Sequence, residues 1–224
     1  MKELADDVWH IKCLPGMPWA VNAYLVGDVL IDAGCRQSTG RIMKQIDGRE
    51  VTAHALTHAH PDHQGASRDI CQTLGIPFLC SELDQPAAED PKLIDERQPD
   101  HFMAHFFWRI FHGPGHKVDR VISEGDELAG FEVIDAPGHS AGHVVFWRES
   151  DRVLIIGDVL ANMDQYTGIP GLNEPKVALS PDPVRNRESA RRLVALEPEL
   201  VCFGHGAPLR DPAKLKSFVD SLPG

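Results

Sequence analysis

Short apolar segments alternate with polar, glycine-containing stretches along the whole chain. Runs of three to seven residues with alternating or continuous apolar side chains predict strands at 8–14, 20–26, 29–31, 53–56, 118–122, 131–136, 143–147, 153–156 and 200–203. Helical spacing of apolar residues predicts helices at 38–46, 183–196 and 212–222. Asp182 and Asp211 each precede a proline, which is the pattern of an N-cap followed by the first helical position. Hairpins mixed with strand–helix units predict two sheets covered by helices on their outer faces.

Residues 84–118 stand apart, because they are first rich in Pro, Asp and Glu and then strongly aromatic. The aromatic part, 101–112, predicts a helix of about three turns that ends before Gly113-Pro114-Gly115. One broad face of this helix would carry Phe102, Met103, Phe106, Phe107, Ile110 and Phe111, and a narrow opposite stripe would carry His101, His105, Trp108 and His112. Two interpretations stay open: a helix that packs into the core, or a lid whose Phe107 and Trp108 shape a substrate pocket.

Composition indicates one globular domain spanning 1–224, with residues 84–118 as an insertion. The chain has 224 residues, of which 42% are hydrophobic and 25% charged. Its longest apolar runs are too short to cross a bilayer, so we do not expect the chain to be an integral membrane protein. The acidic segment 1–7 lacks the features of a signal peptide and favours a cytoplasmic location. A net charge of −11 argues against general nucleic-acid binding and leaves a small molecule as the expected partner.

Cysteine and histidine usage points to metal chemistry rather than to disulfides. The five cysteines are scattered without a CxxC pair, so they predict neither a disulfide framework nor a zinc ribbon. Twelve histidines in a chain with two tyrosines are many, and metal binding is a common use of imidazole. The positions of the histidines therefore indicate where a metal ion would bind.

The strongest motif is the HxHxDH pattern at 57–63, which follows an apolar strand. In an extended segment His58 and His60 point to the same side, while Asp62 and His63 lie at the turn into a helix and approach from a second direction. Imidazole and carboxylate ligands together favour zinc, with iron or manganese as alternatives. The motif predicts a metal site at the end of a strand.

Three later segments repeat one arrangement, in which glycine and then a possible ligand follow an apolar strand. They are 136–143, 155–158 and 202–206, and they contribute His139, Asp158 and His205. Glycine lets the backbone come close to a cleft while the next side chain points into it. Because all three segments follow the HxHxDH motif in the chain, together they strengthen the prediction of a metal site.

With these motifs the chain resembles the metallo-β-lactamase superfamily, and within it the glyoxalase II-like hydrolases. The resemblance runs from the segment 25–34 to the motif at 204–206. It implies a mixed α/β fold, the four-layer αββα sandwich, with the site at one edge of the two sheets. It also implies two groups of metal ligands, His58, His60 and His139 in the first and Asp62, His63 and His205 in the second, with Asp158 bridging them.

Two further positions match the family pattern without being ligands. The resemblance assigns Asp32 a supporting role behind the ligand loop. His143, the second histidine of the 136–143 segment, is expected to act structurally at the start of a strand.

Seven ligands for two divalent ions leave open coordination positions, whereas a structural zinc is closed by four ligands. A metal-bound hydroxide would attack a carbonyl that the metals polarise, so the predicted class is a metal-dependent hydrolase. Asp62 can orient the attacking oxygen and is the predicted catalytic residue. A small thioester or ester-like bond, as in glyoxalase II, is the favoured substrate.

Departures from related branches keep other activities open. The chain ends soon after His205, whereas glyoxalase II carries a C-terminal helical domain, so specificity for glutathione is not expected. A lactonase of the acyl-homoserine type is an alternative, although no tyrosine closely follows Asp158. Another alternative is a persulfide dioxygenase with a single iron, and a third is a metal-binding protein without catalysis.

Overall fold

The computed structural model describes residues 1–14 and 20–224, and its largest sheet has seven strands in sequential order. The strands are β1 (Lys2–Ala5), β2 (Val8–Lys12), β3 (Asn22–Val26), β4 (Val29–Ile31), β5 (Ala53–Ala55), β6 (Phe78–Ser81) and β7 (Arg120–Ile122). Strands β1 to β4 form antiparallel hairpins, and β4 to β7 run parallel. The carboxyl ends of β4 and β5 therefore open on the same edge of the sheet.

The second sheet has five strands in the order β14-β11-β10-β9-β8. Its members are β8 (Glu127–Leu128), β9 (Phe131–Asp135), β10 (Val144–Arg148), β11 (Val153–Gly157) and β14 (Leu200–Phe203), while β12 (Ala161–Met163) and β13 (Pro170–Asn173) form a separate hairpin. Strands β8 to β11 are antiparallel, and β14 joins β11 in parallel. Because β11 and β14 are parallel, the loops that follow both strands leave the sheet at one edge.

Eight α-helices lie in the described residues. They are α1 (Thr39–Ile46), α2 (Pro61–Gln64), α3 (Ser67–Leu74), α4 (Gln85–Glu89), α5 (Lys92–Arg97), α6 (Phe102–Phe111), α7 (Pro183–Val194) and α8 (Pro212–Asp220). Asp182 and Asp211 cap α7 and α8 as predicted, since each side chain accepts a hydrogen bond from a backbone N–H of the first turn. None of the described helices has the length and apolarity needed to span a bilayer.

The layers follow from which face of each sheet is apolar. Tyr24 and Ile31 of the first sheet pack against Phe131 and Phe146 of the second, which makes a core between the sheets. Helices α1 and α3 cover the outer face of the first sheet, and α7 and α8 cover the outer face of the second. This is the four-layer αββα sandwich, so the predicted fold class is confirmed.

Burial along the aromatic helix follows neither of its two predicted faces. Helix α6 buries Ala104 and Phe111 and half-buries Trp108, whereas Phe102 is 73% exposed, with Phe106 and Ile110 also exposed. Eight of the ten residues of α6 are apolar, all except His105 and Arg109, so the apolar pattern does not determine which side faces the protein. The direction is set by its packing against α2, α5 and the 3-10 turn Val177–Leu179.

Candidate metal centre

The seven predicted ligands all lie at the edge where the two sheets open. His58 and His60 follow β5, and Asp62 and His63 lie on the single turn α2. The other three follow strands of the second sheet: His139 in the loop between β9 and β10, Asp158 after β11, and His205 after β14. Each sheet thus contributes the loops at one end of its strands, and the ligands meet between them.

The ligand atoms stand at the spacing of neighbours in a coordination sphere. Oδ2 of Asp158 lies 3.1 Å from Nε2 of His205 and 3.7 Å from Nε2 of His139, and Oδ1 lies 3.5 Å from Nε2 of His63. Oδ2 of Asp62 is 3.3 Å from Nε2 of His205. Two atoms bound tetrahedrally to one zinc at about 2.0–2.1 Å are roughly 3.3 Å apart. Asp158 contacts both predicted groups, as a bridging ligand would.

Unpartnered polar atoms show that the donor set fits a metal ion. Nε2 of His58, His63 and His139 and Oδ1 of Asp158 are buried and have no hydrogen-bond partner among the described residues. Buried polar atoms in folded proteins nearly always have a partner. Here the unpartnered atoms converge: His58, His60 and His139 form one group of ligand atoms within 4.8 Å, and His63 belongs to two more.

The imidazoles of the first group are suited to bind a cation because they are neutral. Burial, followed by repulsion from neighbouring imidazoles, holds the pKa of His58 and of His139 well below the usual value. Burial also lowers the pKa of His60. Since a histidine binds metal only in its neutral form, these three rings do not have to lose a proton first.

The bridging residue Asp158 brings negative charge to the second group. Burial alone would raise the pKa of Asp158, but the imidazoles of His205 and His63 hold it well below its usual range. In turn, and against the effect of burial, Asp158 raises the pKa of His205 to about 10. The buried carboxylate therefore needs a positive partner. A divalent ion would take that role from the protons on the two rings.

Asp32 contacts the HxHxDH loop through both of its carboxylate oxygens. Its Oδ1 accepts a hydrogen bond from the backbone N–H of Thr57 at 2.8 Å, and its Oδ2 accepts from the Thr57 hydroxyl at 2.8 Å. Oδ2 also faces Nδ1 of His63 at 2.9 Å, so the Nε2 atom of that ring points to the metal centre. Asp32 has a left-handed backbone (φ +59°), which directs its side chain at this loop.

Two more polar contacts orient rings of the site. Nδ1 of His139 faces the hydroxyl of Ser180 at 2.9 Å, which leaves Nε2 free for a metal. Nε2 of His143 accepts a hydrogen bond from the backbone N–H of Asp158 at 3.1 Å, and the ring stacks on His58 with 4.7 Å between centroids. Burial lowers the pKa of His143 to about 3, so the ring stays neutral and can accept that bond. This contact agrees with the expected structural role of His143.

Asp84 is a supporting residue that the sequence did not reveal. Its Oδ2 accepts hydrogen bonds from the backbone N–H of Ala59 at 3.0 Å and from the Ser140 hydroxyl at 2.7 Å, and its Oδ1 accepts from the N–H of Gly142 at 2.9 Å. Ala59 lies between two predicted ligands, and Ser140 follows a third. One buried carboxylate therefore joins the two loops that supply the first group. The strand before it, β6, was also missed, so no predicted element marked Asp84 as a residue of the site.

Asn22 holds the loop of His205 from the opposite sheet and was also missed. Its side-chain amide donates hydrogen bonds to the carbonyls of Phe203 at 2.9 Å and Gly206 at 2.7 Å. Between them, Gly204 passes so close to the bridging carboxylate that a Cβ atom there would lie 2.0 Å from Asp158 Oδ1. The glycine before the histidine is thus required by the close approach of the backbone.

A small apolar chamber opens on the metal centre. It has a volume of about 50 Å³, and its wall includes Phe107 and Trp108, the two residues predicted for a pocket. The Trp108 indole N–H donates to the carbonyl of Pro91 at 2.8 Å, and its ring stacks on that of His112. The sequence had placed Trp108 on the opposite face from Phe107; here both line the chamber.

Two glutamines that sequence reasoning missed also line the chamber. The Gln165 amide donates to Oδ2 of Asp158 at 3.3 Å. The Gln98 amide contacts Nε2 of His60 at 2.5 Å, which leaves Nδ1 as the free nitrogen of that ring, and Oε1 of Gln98 is buried without a described partner. An amide turned by 180° would let this oxygen accept the Nε2–H of His60, the partner that a metal-binding tautomer requires.

Comparisons with known proteins agree with this geometry. A sequence model of the metallo-beta-lactamase superfamily matches residues 16–205. The probable metallo-hydrolase YflN of Bacillus subtilis is 28% identical over 200 residues, which cover 81% of this chain and 76% of the relative. Hydroxyacylglutathione hydrolase GloC of Haemophilus influenzae is 26% identical over 163 residues, which cover 67% of this chain and 72% of that protein.

Solved structures extend the match to the fold. The crystal structure of TTHA1623 in a di-iron-bound form superposes with a TM-score of 0.69 at 30% sequence identity, covering 92% of this chain and 98% of that chain. The predicted resemblance and the predicted enzyme class are thus both confirmed. The chain belongs to the metallo-beta-lactamase superfamily and is a metal-dependent hydrolase.

Proposed function

We propose that this protein holds two divalent metal ions and hydrolyses a small thioester or ester-like bond. The observation that carries the proposal is the position of Asp158, whose two carboxylate oxygens contact His139 of one ligand group and His63 and His205 of the other. Zinc suits the nitrogen and carboxylate donors, and the di-iron form of TTHA1623 makes iron the second candidate.

The bound ions would supply the Lewis acidity that polarises the substrate carbonyl and makes a water molecule acidic. Asp62 would hold that water. Of the seven ligand-type residues, only Asp62 is half-buried rather than buried, and it lines the chamber. Although burial alone would raise its pKa, His205 and His63 lower it, so Asp62 is ionised at neutral pH and can accept a proton from the attacking water.

The apolar chamber indicates a substrate with an apolar acyl group. Phe107, Trp108, Phe111, Ile94 and Leu179 form its wall beside the metal centre. Burial of an apolar group against such a wall contributes binding free energy, whereas the metal ligands provide only polar contacts. We propose that the segment 84–118 acts as a lid over this chamber.

A thioester is favoured over the other carbonyl substrates by one relative. GloC of Haemophilus influenzae carries the name of a thioester hydrolase, a hydroxyacylglutathione hydrolase. Among the described residues, Tyr166 is the nearest tyrosine after Asp158 in the chain, and its ring does not line the chamber. We therefore propose a thioester as the first candidate substrate and a lactone as the second.

The test is a substrate panel with the metal-loaded protein, comprising thioesters, lactones, β-lactams and phosphodiesters. We expect thioesters to be hydrolysed fastest and Asp62→Asn to lower that rate about a hundredfold or more, because the amide cannot accept the proton. Asp69→Asn is the control and is expected to keep the full rate, because Asp69 is a half-buried carboxylate on α3 that pairs with Arg68 and lies outside the ligand set. Full activity of Asp62→Asn with both metals bound would overturn the assigned role.

A further inference from the structure

A second and larger cavity adjoins the metal centre. Its volume is about 360 Å³, against about 50 Å³ for the apolar chamber, and the two cavities share His60, Ile94 and Gln98 in their walls. Pockets for small molecules usually measure roughly 300–1,000 Å³. Most of the room for a substrate at this site therefore lies in the larger cavity.

Two arginines on separate elements line this larger cavity. Arg97 is the last residue of α5, and Arg185 lies in the first turn of α7. One N–H of the Arg97 guanidinium donates to the carbonyl of Leu83 at 2.8 Å. Among the described side chains, no carboxylate oxygen lies within 4.0 Å of either guanidinium. The chain has 33 acidic and 22 basic residues, so acidic partners are not scarce.

Two carboxylates share the same cavity wall, and both are already used by the protein. Asp84 accepts the three hydrogen bonds that join the ligand loops. Asp182 caps α7 by accepting from the backbone N–H of Arg185 at 2.9 Å. Neither carboxylate pairs with a guanidinium, which leaves most of the arginine N–H groups available to a ligand.

We infer that the larger cavity binds an anionic group of the substrate, a carboxylate or a phosphate, through Arg97 and Arg185. The reactive carbonyl then lies at the His60 end, where the two cavities meet, and the apolar acyl group enters the aromatic chamber. Arginine suits this task because its planar fork binds both oxygens of a carboxylate or phosphate. The substrate class is thus an anionic thioester or ester; its hydrolysis rests on the proposed function, but binding of the anion does not.

Direct binding tests the inference without any hydrolysis. N-butyryl-β-alanine is an amide that resembles the thioester of 3-mercaptopropionate and is more resistant to hydrolysis, and N-butyryl-β-alaninamide is its neutral counterpart. Calorimetry with metal-loaded protein measures the affinity for both probes, and butyramidoethyl phosphate compares a phosphate with the carboxylate. The variants are Arg97→Gln, Arg185→Gln and the double variant. Arg192→Gln on α7, which removes an exposed ion pair with Glu124 away from the cavity, is the control.

We expect the wild type and the control to prefer an anionic probe over the neutral one about tenfold or more, and the preference to weaken as salt rises. Each single variant should lose about threefold and the double variant nearly all of the preference, with the affinity for the neutral probe unchanged. The better anionic probe identifies the group that the cavity takes. A double variant that keeps the preference, a wild type without it, or no binding of either anionic probe at millimolar concentration overturns the inference. If the probes bind as expected but no thioester is hydrolysed, the proposed function fails and the anion site stands.

Discussion

Replacing Asp84 by asparagine tests whether one buried carboxylate holds both ligand loops of the first metal group. The carboxylate is only 3% exposed and accepts hydrogen bonds from the backbone N–H groups of Ala59 and Gly142 and from the Ser140 hydroxyl. Asparagine has almost the same shape but keeps a single acceptor oxygen. Whichever way the amide is turned, its NH₂ group faces one of the two backbone N–H groups.

The expected loss follows from that mismatch. A hydrogen bond to a charged group contributes about 1.5–3 kcal/mol, and a buried donor left without a partner costs about 1–3 kcal/mol. Because the two effects overlap at one position, we expect Asp84→Asn to lower the free energy of unfolding by about 3 kcal/mol. The loop of His58 and His60 would also move relative to that of His139, and loss of such a support typically weakens metal binding about 10- to 100-fold.

Urea denaturation of the metal-free protein measures the first effect, and competition with a chelator measures the second. Asp90→Asn serves as the control, because Asp90 is exposed and its carboxylate also accepts a backbone N–H, that of Lys92. We expect this control to change stability by no more than about 0.5 kcal/mol. If Asp84→Asn matched the control in both stability and metal affinity, Asp84 would not position the ligand loops.

Two further predictions concern the lid and the core. Trp108→Ala removes one aromatic wall of the chamber, so it should shift the preference between short and long acyl chains about tenfold while the metal content stays unchanged. If only the melting temperature changed, the segment would be core packing rather than a lid. Burial lowers the pKa of His54 to about 4, so between about pH 6.5 and 4 the unfolded chain binds more protons than the folded one, and stability falls as the pH drops by up to about 1.4 kcal/mol per unit. His54→Gln removes this slope, so the difference in free energy of unfolding between wild type and variant, measured by urea titration, should be smaller at pH 4.5 than at pH 7. An equal difference at both pH values would contradict the assignment.

Most strands, and the positions of the candidate ligands at strand ends, could be predicted because their signals are local. The strands Val29–Ile31 and Leu200–Phe203 were predicted with the bounds that the structure shows, since each is a continuous apolar run bounded by acidic residues or glycine. The ligand candidates follow strands directly. Parallel neighbours end at the same edge of a sheet, so their loops meet.

Other features depend on contacts between distant parts of the chain and were not visible in the sequence. Asn22 binds carbonyls more than 180 positions away, and Asp84 binds loops that lie before and after it. The short helices α4 and α5 were missed because their five and six residues are too few to show a period. The buried side of α6 could not be predicted for a related reason: in a helix with apolar residues at eight of ten positions, only the neighbouring elements decide which side is buried.

The number of metal ions per chain tests the central claim most directly. Native mass spectrometry of the protein loaded with zinc, and separately with iron, counts the bound ions in the wild type and in His205→Ala. We predict two ions in the wild type and one in the variant, because His205 belongs to the second ligand group only, whereas His58, His60 and His139 remain intact. A wild type that binds one iron and no second ion under any loading condition would contradict the dinuclear site and favour a mononuclear dioxygenase.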